Sequence, residues 1–307
     1  MSSILNSSSN KSNFYILHND PDELLLKSDV LQNHINLNNL TAIKFDKEKV
    51  NFPNLENTHV SEATYYRLYL ENYLPDNIDN LIYIDPDTVC LNNPENQLET
   101  QINKLNMSPY SIAAFSESEG YTKHTTDYEE VYKRLGMKNR KYFNAGIMII
   151  DFKKWIENDT TNRLIEKMYT IFDNIVYWDQ DVMNSFFDGE YLELADNFNF
   201  TVPIDVEIYS GLTSEKKFKE IYFLHYAGKF KPWSIKGLFH PAAEYYQSNY
   251  RLIMKDTYHI VNNWKVLAVK DFVKSIFSFK FLNLKFPIKY ISHVFVYLFT
   301  KNKRMQQ

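Results

Sequence analysis

The chain has 307 residues, 44% of them hydrophobic, which is enough to bury the core of one large α/β domain with an appendage. Seven glycines and ten prolines exclude a collagenous or low-complexity chain, and a net charge of -4 gives no reason to expect a nucleic-acid partner. The single cysteine, Cys90, excludes an internal disulfide and a cysteine-rich zinc site. Because no stretch is long and apolar enough for a signal peptide or a membrane-spanning helix, we expect a cytoplasmic protein.

Short apolar runs alternate with stretches of helical spacing. The runs that predict strands are residues 13–17, 40–45, 80–84, 111–115, 145–152 and 221–225. Helices are predicted at residues 22–31, 61–74, 153–172 and 179–187. This alternation predicts an α/β fold with a mostly parallel sheet and helices on both faces. Since ligands bind beyond the carboxyl ends of such strands, Asp85, Glu117 and His225 are the positions to inspect first.

Two carboxylates, Asp85 and Asp87, follow the predicted strand 80–84. In extended backbone, residues two apart point to the same side, and Pro86 stiffens the link between them. Two oxygen donors directed at one point suit a hard divalent cation such as Mn²⁺ or Mg²⁺. The same spacing occurs twice more in the chain, so a simple turn or helix N-cap is the alternative interpretation.

The segment from His225 to Trp233 carries groups that suit a metal and a diphosphate. A neutral imidazole at a strand end can be a third metal ligand, and Gly228 lets the backbone approach a bound group closely. Lys229 and Lys231 offer cations to phosphate oxygens. The alternative is a histidine that ends a strand beside an ordinary basic turn.

Two further polar positions lie next to predicted core elements. Asn144 precedes a β-branched strand, where the small Ala145 and Gly146 leave room for its amide to bind a sugar hydroxyl; a turn asparagine is the alternative. Asp179 and Gln180 begin a predicted helix, where N-capping by Asp179 is the alternative.

Taken together, five segments resemble glycosyltransferase family 8, and within it the bacterial lipopolysaccharide galactosyl- and glucosyltransferases. They are residues 64–67 (TYYR), 81–87 (LIYIDPD), 142–146 (YFNAG), 179–181 (DQD) and 225–233 (HYAGKFKPW). Each is modest alone, but all five occur in register between residues 13 and 233. The resemblance implies a Rossmann-like GT-A fold, a UDP-hexose donor and a glycolipid or oligosaccharide acceptor.

The resemblance also implies how the donor is held. Asp85, Asp87 and His225 would bind Mn²⁺ or Mg²⁺, with the donor diphosphate completing the coordination shell. Lys231 and the backbone at Gly228 would contact the diphosphate.

By the same resemblance, Arg67 and Asn144 would lie along the donor sugar, although an ion pair of Arg67 with Glu71 on the helix surface is the alternative. Family members retain the anomeric configuration, and Gln180, next to Asp179, falls at the position facing the β side of the reacting carbon. An amide is a poor nucleophile, so we expect the acceptor hydroxyl to attack from the front face. Gln180 would then support positive charge that develops on the sugar.

The start of the chain departs from the family pattern. Family members open with an apolar strand and a polar motif that holds the uridine, and residues 1–11 contain neither. We therefore expect the sheet to lack the first family strand, with strand edges left unpaired, either because the natural chain is longer or because the gene is truncated. A truncated, catalytically inactive binding or scaffolding protein is thus one alternative function, and a nucleotide-sugar hydrolase is another.

Charge divides the chain near residue 264. Residues 264–307 contain nine Lys or Arg and one acidic residue, about +8, and the remainder is about -12. Lysines alternate there with aromatic and aliphatic residues, a composition typical of helices that lie on anionic membranes, and Pro287 should divide the segment in two. We predict a transferase domain at 1–263 and a tail at 264–307 that binds the inner face of the cytoplasmic membrane. A helix docked on the main domain is the alternative.

Overall fold

The computed structural model describes most of the chain. The described residues are 1–21, 29–46, 50–55, 61–117, 126–202, 218–228, 231–261 and 265–299. Most of the predicted helix 22–31 lies outside them, as does Lys229.

Strands and helices alternate along the described chain. The first half contains α1 Ser2–Ser7, β1 Ser12–His18, α2 Asp29–Gln32, β2 Leu37–Lys44, a 3-10 helix Glu62–Tyr69, α3 Leu70–Tyr73, β3 Asn80–Ile84, β4 Thr88–Cys90, α4 Glu95–Asn106, β5 Ile112–Ser116 and α5 Tyr128–Leu135. The second half contains β6 Phe143–Asp151, α6 Phe152–Glu157, α7 Thr160–Thr170, α8 Trp178–Phe187, β7 Leu192–Glu193, β8 Phe200–Thr201, β9 Phe223–His225, α9 Ala243–Met254, α10 Lys265–Phe277 and α11 Pro287–Phe299. All six predicted strands are confirmed, and the three additional strands have only two or three residues each, too few for a sequence pattern.

The strands form three sheets in the described chain. Parallel β1 and β2 pair with each other, a four-stranded sheet has the order β3-β6-β5-β7, and a three-stranded sheet has the order β4-β9-β8. The α/β class is confirmed, but the prediction of a mostly parallel sheet is wrong, because β6 runs antiparallel to both β3 and β5. All nine residues of β6 are buried. A strand covered on both faces shows a continuous apolar run whatever its direction, so the sequence pattern did not reveal the direction of β6.

The predicted helix 153–172 is divided in two. Asp151 caps α6 through a hydrogen bond from the Lys154 amide at 3.0 Å, and α6 ends at Glu157. Asp159 then adopts a φ of 51°, a left-handed conformation that aspartate tolerates better than most residues, and α7 starts after it.

Apolar side chains of β3 enter two different cores. Leu81 and Tyr83 pack on one face of the sheet, and Ile82 and Ile84 pack on the other. Neighbouring β6 is fully buried and sends alternate side chains into the same two cores. Each fully buried aliphatic side chain contributes roughly 1.5–3 kcal/mol, so these cores hold the end of β3 firmly.

Two helices, α10 and α11, lie in the tail, and Pro287 is the first residue of the second. Their inner faces pack on the rest of the chain through a cluster that includes Tyr258, Ala268, Tyr290 and Val294. None of the helices described is both long enough and apolar enough to cross a bilayer. The boundary at residue 263 stays a prediction.

Candidate functional site

The site lies where the ends of β3 and β9 meet the start of α8. After β3 the chain turns through residues 85–87 into β4, whose Thr88 is the register partner of His225. The Asp85 amide donates to the Gly146 carbonyl at 2.8 Å, and the Tyr226 amide donates to the Asp87 carbonyl at 3.0 Å. Backbone hydrogen bonds therefore fix both ends of the turn that carries the two carboxylates.

Asp85, Asp87 and His225 form one compact group. One ligand atom from each lies within 4.8 Å of the others, and His225 Nε2 is 3.3 Å from Asp87 Oδ1 and 3.9 Å from Asp85 Oδ2. Asp87 Oδ1 is buried, and no described residue donates a hydrogen bond to it, a state that costs free energy unless a cation is bound. Two carboxylates and an imidazole are ligands that suit Mn²⁺, so the residues fit a divalent metal.

Asn199 sets the orientation of the His225 ring. Its Nδ2 donates to Asn144 Oδ1 at 2.9 Å, so its Oδ1 faces His225 Nδ1 at 3.1 Å. An amide oxygen only accepts, so Nδ1 of the ring carries a proton and Nε2 faces the carboxylates. The sequence analysis missed Asn199; its only signal was a polar residue between two phenylalanines, Phe198 and Phe200.

Gly146 allows this close packing. A Cβ placed there would overlap the His225 ring and lie 2.9 Å from Asn144 Oδ1. That same Asn144 oxygen accepts from the Gly146 amide at 2.9 Å, while Asn144 Nδ2 is 3.5 Å from Glu117 Oε1. Asn144, predicted to bind a sugar hydroxyl, is therefore buried in the wall of the metal group, where its oxygen joins β6 to Asn199.

Arg67 lies inside the site and bridges two acids. Its Nη2 is 2.7 Å from Asp85 Oδ1, its Nε is 2.8 Å from Asp179 Oδ2, and its guanidinium stacks 4.3 Å from the Tyr83 ring centroid. The alternative interpretation, a surface ion pair with Glu71, is wrong, because the Arg67 side chain is only 5% exposed and points inward. Its two acidic partners outweigh burial and raise the pKa of Arg67.

Asp179 is buried at the start of α8. Its Oδ1 accepts a hydrogen bond from the Thr64 hydroxyl, and its side chain makes no capping hydrogen bond, so the N-cap interpretation is wrong. Burial raises the pKa of Asp179 to about 6, although Arg67 and Thr64 oppose the shift. The carboxylate is thus held in a site that disfavours its charge.

The amide of Gln180 is held at both ends. Its Nε2 donates to Glu117 Oε2 at 3.0 Å, and its Oε1 accepts from the Ala145 amide at 3.1 Å. Glu117, to which the sequence analysis gave no role, thus orients the residue expected to face the reacting carbon. An amide oxygen has two lone pairs, and the Ala145 amide takes one of those on Gln180 Oε1.

Lys231 contacts the metal group directly. Its Nζ lies 2.6 Å from Asp87 Oδ2 and also donates to the Tyr226 carbonyl at 2.8 Å. Burial alone would raise the pKa of Asp87, but the charges of His225 and Lys231 outweigh it and hold this pKa below its usual range. Gly228 has a φ of 86°, which favours glycine in this turn.

Asp181 shares the spacing of the metal-binding pair but has a different role. Its buried carboxylate accepts from Tyr142 Oη at 2.7 Å and from the amides of Val176 and Tyr177, each at 2.8 Å, and it is 2.7 Å from Arg134 Nη1. These contacts fix the loop before α8.

Several known proteins and one protein family are similar to this chain in sequence. The model of glycosyl transferase family 8 matches residues 1–237. A putative glycosyltransferase of Haemophilus influenzae is 30% identical over 243 residues, covering 76% of this chain and 68% of that protein. The lipopolysaccharide 1,3-galactosyltransferase of Salmonella typhimurium is 27% identical over 189 residues, covering 60% of this chain and 52% of that protein.

Among solved structures, that of the galactosyltransferase LgtC in complex with donor and acceptor sugar analogs is similar. Its TM-score is 0.66 at 22% identity, and the alignment covers 82% of this chain and 89% of that chain. This likeness confirms the predicted GT-A fold. Since the family model matches residues 1–237 of 307, the chain belongs to glycosyl transferase family 8.

Proposed function

We propose that the chain is a metal-dependent, retaining hexosyltransferase that moves galactose or glucose from a UDP-sugar to a lipopolysaccharide, lipooligosaccharide or related surface glycan. The observation that carries this proposal is the group formed by Asp85, Asp87 and His225, beside which Gln180 is held against the Ala145 amide of β6. Family membership and the relative named as a lipopolysaccharide galactosyltransferase give it further support.

One set of residues would bind the metal and the diphosphate of the donor. Asp85, Asp87 and His225 would hold Mn²⁺ or Mg²⁺, which when bound supplies positive charge for the diphosphate of the departing nucleotide. Lys231 adds a second cation at the same place, since its ammonium already lies against Asp87. Gly228 has a positive φ and no side chain, so the backbone of that turn would be able to approach the diphosphate.

The sugar side is built from α8 and the residues around it. Arg67 contacts both Asp85 and Asp179, and together with the Asp179 carboxylate it would bind sugar hydroxyls. The acceptor hydroxyl attacks from the face that the diphosphate leaves, which retains the configuration. Gln180, fixed by Glu117, offers its remaining lone pair to the positive charge that develops on the sugar.

The test is nucleotide release from a panel of nucleotide sugars with Mn²⁺, in the presence and absence of EDTA. We expect metal-dependent release from UDP-galactose or UDP-glucose, and a glycan acceptor should increase it. Nucleotide release that does not depend on the acceptor and yields free sugar would indicate a hydrolase. No nucleotide release from any donor would favour an inactive scaffold. Gln180→Ala should lower turnover, and unchanged turnover would remove Gln180 from the mechanism.

We further propose that the protein is peripheral on the cytoplasmic face of an anionic membrane. Outward faces of α10 and α11 expose Val266, Phe277 and Ile288 at 82–86%. Exposed lysines, among them Lys270 and Lys274, lie between such residues, while Asp271, the sole acid in residues 265–299, is half-buried. Apolar side chains with interspersed lysines match the interface of an anionic bilayer, where a glycolipid acceptor would also be found.

A further inference from the structure

A cavity of about 660 Å³ lies between the tail and the residues that lead into α9. The 3-10 turn Lys280–Asn283 and Lys285 line it from the tail, and His240, Glu244 and Tyr258 line it from the opposite side. This volume falls in the range of roughly 300–1,000 Å³ typical of small-molecule pockets. None of the residues placed in the candidate active site lines this cavity.

Cationic charge dominates the tail side of the cavity. Lys280 and Lys285 line the cavity from the tail, and both are exposed to solvent. Among the described residues, Glu244 is the one acid that lines the cavity, and its carboxylate pairs with Arg251. Lys285 Nζ is 3.6 Å from Glu244 Oε1, beyond hydrogen-bond length, so its donors can bind another group.

On the opposite side, His240 offers a hydrogen-bond donor. Its Nδ1 accepts from the Ala242 amide at 3.1 Å, which places the proton of the neutral ring on Nε2. Burial lowers the pKa of His240, so the ring stays neutral near pH 7. Nε2 is buried and has no hydrogen-bond partner among the residues described, an arrangement that costs free energy unless a ligand supplies an acceptor.

We propose that this cavity binds a phosphate ester, with Lys280 and Lys285 on its charged oxygens and His240 Nε2–H donating to it. The most direct source is the phosphodiester of an anionic phospholipid, and that part of the inference rests on the membrane attachment proposed above. Phe279 and Leu282, on or next to the turn that carries Lys280, are 67% and 57% exposed, so lipid contact would bring headgroups to the cavity. A soluble or glycan-borne phosphate ester has the same chemistry.

The first arm of the test is calorimetric titration of the full chain with inorganic phosphate and with sn-glycerol 3-phosphate. The variant K280A/K285A removes the lysines of the cavity. K270A/K274A is the matched control, since it removes two exposed lysines of α10 that do not line the cavity. We expect glycerol phosphate to bind at least tenfold more weakly to K280A/K285A than to the wild type, with no change in the control.

The second arm is co-sedimentation with phosphatidylcholine vesicles, with and without phosphatidylglycerol. A larger loss of phosphatidylglycerol binding in K280A/K285A than in K270A/K274A would identify a lipid source. Equal vesicle binding by both variants, with glycerol phosphate binding lost only in K280A/K285A, would support the site with a soluble or glycan-borne ligand.

The proposal is overturned if wild-type protein binds neither phosphate probe and the two variants lose vesicle binding equally, because the lysines then act only as diffuse charge. Neither arm contains metal or nucleotide sugar. A failure of the proposed transferase activity therefore leaves both readouts intact, and the two failures can be told apart.

Discussion

Asn199 Oδ1 lies 3.1 Å from Nδ1 of His225, and this contact leaves Nε2 of the same ring facing Asp87. A histidine ligand is commonly fixed in this way by a partner on its second nitrogen. The contact ties a residue that the sequence analysis did not single out to the geometry of the metal group.

We expect Asn199→Ala to weaken Mn²⁺ binding by about 10–100-fold, the usual effect of removing such a partner. Asn199→Asp keeps an acceptor for Nδ1 and should retain more of the affinity. Calorimetric titration of Mn²⁺ into each variant, without donor, measures this. Equal Mn²⁺ affinity in wild type and Asn199→Ala would show that Asn199 does not contribute to metal binding by His225.

Lys231→Ala should change metal and donor binding in opposite directions. Removing the ammonium that lies 2.6 Å from Asp87 Oδ2 frees that carboxylate, so Mn²⁺ alone should bind several-fold more tightly. The UDP-sugar should bind more weakly in saturating Mn²⁺, because a cation for the diphosphate is lost. The two affinities are measured separately by calorimetry, and a fall in both would contradict the assigned position of Lys231.

Gly146→Ala should damage the metal group through sterics alone. The added Cβ overlaps the His225 ring, so the ring must move, at a cost of about 1–3 kcal/mol and with loss of most Mn²⁺ affinity. Gly136→Ala is the control, because Gly136 has a positive φ but no atom within 4 Å of an added Cβ. It should lower the free energy of unfolding while leaving Mn²⁺ affinity unchanged. Intact Mn²⁺ affinity in Gly146→Ala would be the contrary result.

The raised pKa of Asp179, about 6, makes stability depend on pH. The folded state binds this proton more tightly than the unfolded state does, so the free energy of unfolding falls as pH rises from about 4 to 6. Asp179→Asn removes this titration, and its stability relative to wild type should improve by on the order of 3 kcal/mol across that window. Urea denaturation at several pH values in EDTA tests this, and parallel pH curves for the two proteins would count against it.

The outward face of the tail should determine membrane binding. Phe277→Ser and Ile288→Ser each remove an apolar side chain that is 82% exposed and should reduce binding to anionic vesicles without loss of stability. Met107→Ser, also at an 82% exposed position but on the main domain, is the control and should bind as wild type does. Equal binding by all three variants would rule out this face as the contact.

The sequence predicted the part of the site that is local along the chain. Apolar runs that end in polar residues indicated where strands end, and the structure brings Asp85, Asp87 and His225 together at such ends. The direction of β6 was not predictable, because burial on both faces hides it.

Contacts between distant segments could not be predicted. Glu117 reaches Gln180 across 63 residues of chain, and Asn199 reaches Asn144 across 55. Arg67 lies on a 3-10 helix rather than the predicted α-helix, so spacing on a helical surface gave the wrong partner for it. Such pairings depend on which elements meet, and helical or strand periodicity carries no information about that.

The two aspartates Asp181 and Asp87 should respond differently when selection on catalysis is relaxed. Asp181 is fully buried with hydrogen bonds to both oxygens, so its loss would leave the backbone amides of Val176 and Tyr177 without this acceptor. Asp87 accepts no hydrogen bond at its buried Oδ1 from the described residues and pairs through Oδ2 with Lys231, so its loss would leave fewer buried groups without a partner. Inactive descendants of this chain should therefore lose Asp87 early in their divergence and keep Asp181 for as long as they fold.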